Sequence, residues 1–212
     1  RFTKQMFVKL RATATAMTTS TRTPHADSRQ PQVLNAAARL FRTQGFDGTS
    51  VRNIAGSAGM LPGSLYCHFA TKEALLIAVY IKGVEQISGA VLQAISGIAD
   101  PWDRLQAACE AHLDAILRDD DYAQVVIRVR PSDVPDASER LIDLRNQYEA
   151  LFAAIVNDLP LAASIDRRAF RLMLMGALNW SQTWFRPDGR SSPRSIARQF
   201  VALLRQGEEI VA

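Results

Sequence analysis

Apolar side chains recur every three or four positions along most of this chain, the spacing that places them on one face of an α-helix. No stretch alternates apolar and polar residues in the way that indicates a half-buried strand. The apolar run at 123–129 has the length of a strand, but the segments on both sides have helical spacing, so we interpret it as a short helix. The pattern predicts an all-α protein of about nine helices.

Turn-forming residues separate the predicted helices. Gly45 ends the first helix, Asp100-Pro101 starts a new one, and the turn Arg186-Pro187-Asp188-Gly189 precedes the last. The approximate predicted bounds are 28–44, two short helices within 49–69, then 71–98, 101–117, 123–129, 137–159, 166–185 and 193–205.

The stretch 45–76 contains the two short helices joined by a tight turn. The hydroxyl of Thr49 is placed to cap the first of them, and Gly59 ends it where a left-handed residue is needed. Pro62 suits the first turn of the second, where a missing N–H is tolerated. This spacing predicts a helix-turn-helix, whose second helix has the size and polarity to enter a DNA major groove.

The inward and outward faces of that second helix follow from its spacing. Leu65 and Phe69 are four residues apart and share the inward face, so Ser64, Cys67 and His68 lie off it. At the groove, Ser64 can donate to or accept from a base, whereas Pro62 and Cys67 offer only apolar contacts.

Composition and charge narrow the class of protein. Apolar residues make up 48% of the chain, enough for a buried core, and no run approaches the roughly 20 apolar residues of a membrane span. The two cysteines, Cys67 and Cys109, form no disulfide or metal framework, which fits a reducing cytoplasm. Residues 1–82 carry 11 Lys and Arg against three Asp and Glu, whereas residues 83–212 carry 14 against 18. This asymmetry indicates that a polyanion meets the N-terminal end.

A set of residues at fixed spacings extends across 33–76. Its members are Ala36-Ala37, Leu40-Phe41, Gly45-Phe46, Thr49-Ser50-Val51, Ile54-Ala55, Ala58-Gly59, Gly63-Ser64-Leu65-Tyr66, His68-Phe69 and Lys72-Glu73-Ala74-Leu75. With this set the stretch resembles the DNA-binding domain of the tetracycline-repressor (TetR) family. Residues 123–127 and 184–189 resemble a subgroup that represses fatty-acid or steroid degradation and senses acyl-CoA thioesters.

The resemblance implies a domain organisation: a basic N-terminal arm at 1–27, a DNA-binding domain at 28–76, and an effector-binding and dimerisation domain at 77–212. It implies a homodimer formed as a four-helix bundle by the last two helices, 166–185 and 193–205. The partners would be a palindromic double-stranded DNA operator and a small-molecule effector, such as an acyl-CoA or another hydrophobic carboxylate, with no membrane and no cofactor. The long helix 71–98 would connect the effector site to the DNA-binding head.

Candidate DNA contacts combine groove chemistry with the family pattern. Base contacts are predicted at the exposed N-terminal positions of the second helix and from Arg52 on the helix before it, which could also bind a phosphate. The predicted base-contacting residues are Arg52, Pro62, Gly63, Ser64 and Cys67, and the family's phosphate-contacting positions correspond to Thr49, Tyr66, His68 and Lys72. The chain departs from the family at Leu61, where a capping Ser or Thr is common, and at Pro62, where a Lys or Arg is common.

The effector pocket is predicted from the inward stripes of the later helices. Its candidate lining residues are Cys109, His112, Gln124, Arg128, Tyr148, Phe152, Met175 and Asn179. Arg128 is the one charged residue inside an apolar run, which favours pairing with a carboxylate or a CoA phosphate. The alternative is that Arg128 is solvated or pairs with the acidic turn Asp119-Asp120-Asp121.

Two other classes of function are weighed against the repressor. One is a non-specific or redox-responsive DNA-binding protein that uses Cys67. The other is an enzyme, which is disfavoured because the sequence contains no nucleophile elbow, phosphate-binding loop or H-E-x-x-H motif. His25, His68 and His112 lack the spacing of metal ligands. Met17 could also be an alternative start, so that residues 1–16 would not belong to the native protein.

Overall fold

The computed structural model describes residues 29–211, with side chains up to residue 206. The predicted arm at 1–27 and the predicted start of the first helix at Ser28 lie outside the described residues. Between residues 29 and 211 the chain forms nine α-helices and two single-turn 3₁₀ helices, with no strand, so the predicted all-α class is confirmed. The helices are α1 Gln30–Gly48, α2 Val51–Ser57, α3 Pro62–Tyr66, α4 Lys72–Ala94, α5 Pro101–Ile116, α6 Asp121–Arg128, α7 Ser138–Asn157, α8 Arg167–Trp184 and α9 Pro193–Val211.

Most predicted bounds hold within a few residues, and the ends of three helices, α1, α4 and α9, differ most from the prediction. Gly45 interrupts α1 with a φ of 74°, as expected for a residue that ends a helix. The helix α4 ends at Ala94 rather than near Ile98, because the chain turns through Gly97, whose φ is 79°. The last helix, α9, continues to Val211, beyond the predicted end at Arg205. The apolar run at 123–129 is helical, within α6, as predicted.

The chain divides into two compact units. Among the described residues, the first contains 29–85 together with Asp121–Arg145, and the second contains Gln86–Asp120 together with 146–211. Within the first unit, α1 packs against α2 and α6, and α2 against α3. Within the second, α5 packs against α8 and α9.

In the first unit, α6 is attached to α1 and α4 by polar contacts. The hydroxyl of Tyr122 donates to Asn35 Oδ1 on α1 at 2.5 Å and accepts from Lys82 Nζ on α4 at 3.1 Å. Arg42 on α1 forms a salt bridge of 2.9 Å with Asp121. These contacts join α6 to α1 and α4, the helices on either side of the predicted helix-turn-helix in the sequence.

The helix α4 differs from one sequence-based expectation. By length and composition alone it could cross a membrane, although no comparable run was expected, and it is the one such helix among residues 29–211. In the structure 56% of its apolar window is buried. Its apolar residues therefore face protein, as in the core helix of a helical bundle.

Candidate functional site

The first helix of the motif, α2, begins at a cap that differs from the predicted one. The side chain of Ser50 accepts a hydrogen bond from the amide of Asn53 at 3.1 Å, so Ser50 is the N-cap. The prediction that Thr49 caps this helix was wrong. Thr49 is 1% exposed, and its hydroxyl donates to the carbonyls of Leu40 and Gly45, at 3.2 and 2.7 Å.

The burial of Thr49 also removes it from the candidate phosphate contacts. Its hydroxyl already has two acceptors inside the protein, and almost none of its surface reaches solvent. A phosphate oxygen outside the domain cannot approach a side chain in that position. The hydroxyl instead anchors the turn between α1 and α2.

The turn and the second helix of the motif have the predicted conformation. Gly59 has a φ of 65°, and α3 begins at Pro62. Leu61 is the N-cap and offers no side-chain hydrogen bond. Leu65 and Phe69 are buried on the inner side, which confirms the assignment of the two faces.

The outer face of α3 carries the predicted base-contacting residues. Gly63, Ser64 and Cys67 are exposed, and Pro62 is half-buried. Arg52 is exposed on α2. The structure therefore presents these five residues to solvent on α2 and α3, while the apolar side of α3 packs inward.

One side chain beside this face is more exposed than the sequence suggested. Leu61 is 76% exposed, although sequence reasoning considered it only as a poor helix cap. Tyr66 is exposed, and His68 is half-buried. A large apolar side chain that directly precedes a groove-facing helix is the signal that could have identified Leu61 as a contact candidate.

Lys72, the remaining candidate for a phosphate, is engaged within the fold. Its ammonium donates to the backbone carbonyls of Phe46 and Thr49 at 2.9 and 3.1 Å. Because an ammonium has three protons, one donor remains for another acceptor.

In the second unit, three of the predicted pocket residues contact buried His112 and form a cluster with it: Tyr148, Phe152 and Asn179. Nδ1 of His112 lies 2.6 Å from the Tyr148 hydroxyl, and Nε2 lies 3.1 Å from Asn179 Oδ1. The His112 ring stacks on Tyr148 and meets Phe152 edge-on, both at 5.7 Å between centroids. Cys109 and Met175 are buried in the same unit.

Burial determines the protonation states in this cluster. It lowers the pKa of His112 to about 4, while the hydrogen bond to Asn179 opposes that shift. It raises the pKa of the Cys109 thiol, and it raises that of the Tyr148 phenol well above its ordinary value. The cluster is therefore uncharged near neutral pH.

The other two predicted pocket residues lie on α6, in the first unit. Gln124 is buried, as predicted for an inward position. Arg128 is exposed, so its predicted inward orientation was wrong. The buried residues of α6 are the four at 122–125, whereas Arg128 is the last residue of the helix and is exposed.

An exposed apolar stripe follows α8. Leu172, Met173, Trp180 and Trp184 lie at helical spacing with most or about half of each side chain exposed, and Trp180 reaches 67%. Exposed Gly176 and Ala177 lie between them, and Leu203 on α9 is also exposed. An apolar surface of this kind indicates a protein–protein interface.

No group of three or more His, Cys, Asp or Glu side chains among the described residues could hold a metal ion.

Two family models match the chain, and together they cover most of it. The model of the bacterial regulatory proteins of the tetR family matches residues 33–79, and the model of the tetracyclin repressor-like C-terminal domain matches residues 99–208. The second match alone extends over more than half of the chain. This protein belongs to the TetR family. Membership confirms that it is a DNA-binding transcriptional regulator and not an enzyme.

Curated relatives and solved structures agree with this assignment. The transcriptional repressor KstR2 of Mycolicibacterium smegmatis is 29% identical over 187 residues, covering 85% of this chain and 90% of its own. The transcriptional activator FasR of the same species is 37% identical over 93 residues, covering 44% of this chain and 42% of its own. The crystal structure of AibR in complex with isovaleryl coenzyme A and operator DNA is 25% identical with a TM-score of 0.72, covering 82% of this chain and 97% of AibR.

Proposed function

We propose that this protein is a cytoplasmic transcriptional repressor that binds a palindromic DNA operator as a homodimer and is released by a small-molecule effector. In this proposal residues 28–76 form the DNA-binding domain and residues 77–212 bind the effector and dimerise. The basic arm at 1–27 is proposed to follow the DNA backbone or a minor groove. The observation that carries the proposal is the outer face of α3, which is solvent-exposed and carries Ser64 above buried Leu65 and Phe69, within the stretch that matches the family model.

The proposed DNA contacts follow from exposure. Base edges are contacted from α2 and α3 by residues whose side chains or backbone face solvent: Arg52, Leu61, Pro62, Gly63, Ser64 and Cys67. Tyr66 and His68 contact phosphates. Lys72 donates a hydrogen bond to a phosphate with the one ammonium proton that is not used within the fold. Ser64 and Arg52 are the only polar side chains in the base-contacting set. Specificity therefore depends on these two, on apolar contacts with thymine methyl groups, and on half-site spacing.

A two-fold dimer would account both for specific binding to an operator and for the exposed apolar stripe on α8. A single short recognition helix reads too few base pairs for a specific operator, so two copies must bind two half-sites. The exposed stripe on α8, together with Leu203 on α9, provides the apolar surface for the contact between the two subunits. Four helices, two from each subunit, would then bury Trp180 and its neighbours.

The effector is proposed to be an acyl-CoA thioester that binds in the helical body. The likeness to AibR, whose structure holds isovaleryl coenzyme A, supports this class, and the likeness to the repressor KstR2 supports repression rather than activation. The effector favours a dimer whose recognition helices are misplaced for successive grooves. The effector can shift the equilibrium between the two dimer states only by the difference between its binding free energies for them.

Selection of genomic fragments by the purified protein tests the DNA-binding proposal. We expect recovery of a palindrome with two half-sites about one helical turn apart. The Ser64→Ala variant should relax the preference at one base position in each half-site, whereas Arg52→Ala is expected to weaken binding at one guanine or uniformly. Recovery of unrelated sequences, with one salt dependence for all of them, would support the non-specific DNA-binding alternative.

Thermal unfolding with a panel of acyl-CoA thioesters tests the effector proposal. A ligand that binds only the native state stabilises it by about 2.7 kcal/mol when present at 100 times its dissociation constant. The same thioester must release the selected operator fragment. Stabilisation without release would show a bound metabolite that is not the effector.

A further inference from the structure

We propose that the effector presents an uncharged hydrogen-bonding group, a carbonyl or a hydroxyl, to Tyr148 and Asn179, and that buried His112 positions both of them. This inference rests on the proposed effector-binding function of the body. It specifies that the ligand group next to the cluster is polar and uncharged, and it excludes a free carboxylate at that position.

The cluster has a buried centre and two more open ends. His112 is 1% exposed, and both of its ring nitrogens have a partner within 3.1 Å. Tyr148 and Asn179 are half-buried and are therefore less enclosed than His112. Phe152 meets both the His112 ring and the Tyr148 ring edge-on, and fixes the planes of these two groups. A ligand would therefore meet Tyr148 and Asn179, and His112 would act through them.

Proton counting determines what the open ends offer. A neutral imidazole has one N–H, so one ring nitrogen donates and the other accepts. If Nε2 donates to Asn179 Oδ1, then Tyr148 donates to Nδ1, which leaves the Asn179 NH₂ as a donor and the Tyr148 oxygen as an acceptor. If Nδ1 donates to Tyr148, the amide turns, and the phenol becomes the outward donor while the Asn179 oxygen accepts. Each arrangement offers one donor end and one acceptor end.

A neutral ligand group fits both arrangements, whereas an anion fits neither well. A carbonyl accepts from whichever end carries the donor, and a hydroxyl can use both ends. A carboxylate needs several donors or a cation, and the acceptor end would face it with a lone pair. Because His112 can change tautomer, the cluster selects ligand groups that are polar but uncharged.

The charge distribution of the second unit supports the same conclusion. Its buried polar residues, among those described, are Ser88, His112 and Ser181, none of them charged near neutral pH. Three arginines of this unit are not fully exposed, and each already has an acceptor: Arg104 with Asp158, Arg167 with two backbone carbonyls, and Arg171 with Glu149. Burial of an unpaired carboxylate in this interior would carry a large desolvation penalty.

The test compares three ring compounds of one size: cyclohexanone, cyclohexanol and cyclohexanecarboxylate. Each is titrated at millimolar concentration into protein labelled with ¹⁵N-histidine, and the ring nitrogens of His112 are assigned by their absence from the His112→Asn spectrum. We expect the ketone and the alcohol to shift both His112 nitrogens, because a ligand that selects one end changes the tautomer balance. The carboxylate should leave them unchanged at the same concentration.

Two variants separate ligand contact from packing. Tyr148→Phe and Asn179→Leu each remove one polar end, and we expect the affinity for the ketone to fall on the order of 3- to 10-fold in each. Leu113→Met on α5 keeps the approximate volume of a buried side chain outside the predicted pocket and should bind the ketone like the parent protein. Equal or stronger binding of the carboxylate, or no change in the His112 nitrogens with either neutral compound, would overturn the inference. An effector that releases the operator without shifting these nitrogens would do the same and leave the proposed function intact.

Discussion

The ammonium of Lys72 lies 4.0 Å from the centroid of the Phe46 ring and donates a hydrogen bond to the carbonyl of the same residue. Phe46 belongs to the last turn of α1, and Lys72 is the first residue of α4. A cation beside the last carbonyls of a helix satisfies acceptors that have no partner within the helix. Lys72 therefore ties the end of α1 to the start of α4, in addition to any contact with DNA.

Replacement of Lys72 is expected to lower stability as well as DNA affinity. Lys72→Ala removes two charge-assisted hydrogen bonds and the contact with the Phe46 ring, so we expect the free energy of unfolding to fall by about 1–3 kcal/mol. Arg52→Ala is the matched control, because Arg52 is exposed on α2, and it should weaken DNA binding without a change in stability. Urea unfolding and operator titration of both variants measure the two effects. An unchanged unfolding midpoint for Lys72→Ala would restrict Lys72 to the phosphate role.

The approach of α6 to α4 depends on the absence of a side chain at Gly83. A Cβ at this position would lie 2.6 Å from Val126 Cγ2 and 2.7 Å from the carbonyl oxygen of Tyr122. We expect Gly83→Ala to lower the free energy of unfolding by about 1 kcal/mol or more, because overpacking strain exceeds the gain in helix propensity. Gly89→Ala on the same helix has no atom within 4 Å of the new Cβ and should raise stability by about 0.5–1 kcal/mol. Thermal unfolding should show a lower melting temperature than the parent protein for Gly83→Ala and a higher one for Gly89→Ala.

Helical periodicity was sufficient to predict the helices and the two faces of α3. Residues four apart in a helix, such as Leu65 and Phe69, lie on the same face. It was not sufficient for the cap of α2, where Thr49 and Ser50 both carry a hydroxyl. The turn that follows Gly45 directs Thr49 inward and leaves Ser50 to accept from Asn53. Arg128 is a different case: it lies one turn after buried Gln124, so spacing favoured an inward orientation, and its exposure at the last residue of α6 could not be predicted from periodicity.

Sequence patterns could not predict polar contacts between residues far apart in the chain. Tyr122 and Asn35 are 87 positions apart, and nothing in the local sequence of either residue indicates the other. The same limit applies to α8, where apolar residues occur on several faces. Periodicity could not separate Leu174, which is buried, from Trp180, which is exposed, because that division depends on where α5 packs.

The buried, neutral His112 makes stability depend on pH. Its pKa is about 4 in the folded protein and near 6.5 in an unfolded chain, so the unfolded state binds more protons between these values. Stability is therefore complete above pH 6.5 and falls as the pH drops toward 4, by an amount on the order of 3 kcal/mol for this group. Urea unfolding between pH 4.5 and 7.5 measures the slope.

The groups around His112 determine the control for this measurement. Tyr148, Asn179 and Phe152 face the ring, and none of the three carries a charge in this pH range. His112→Asn removes the titrating group, and its stability should change less between pH 4.5 and 6.5 than that of the parent protein. Parallel pH profiles for the two proteins would show that other groups cause the loss.

The exposed stripe on α8 predicts how the subunits associate. Trp180→Glu places a charge at the most exposed large side chain of the stripe, where burial in a subunit contact would leave it unpaired. We expect this variant to sediment as a monomer at micromolar concentration and to lose about 10²- to 10⁴-fold in operator affinity, because the two half-sites are no longer bound together. Ile142→Glu on α7 is the control, an exposed apolar residue outside the stripe, and it should remain dimeric. A dimeric Trp180→Glu with normal operator affinity would move the interface to another surface, since a buried unpaired carboxylate at the proposed contact could not leave association unchanged.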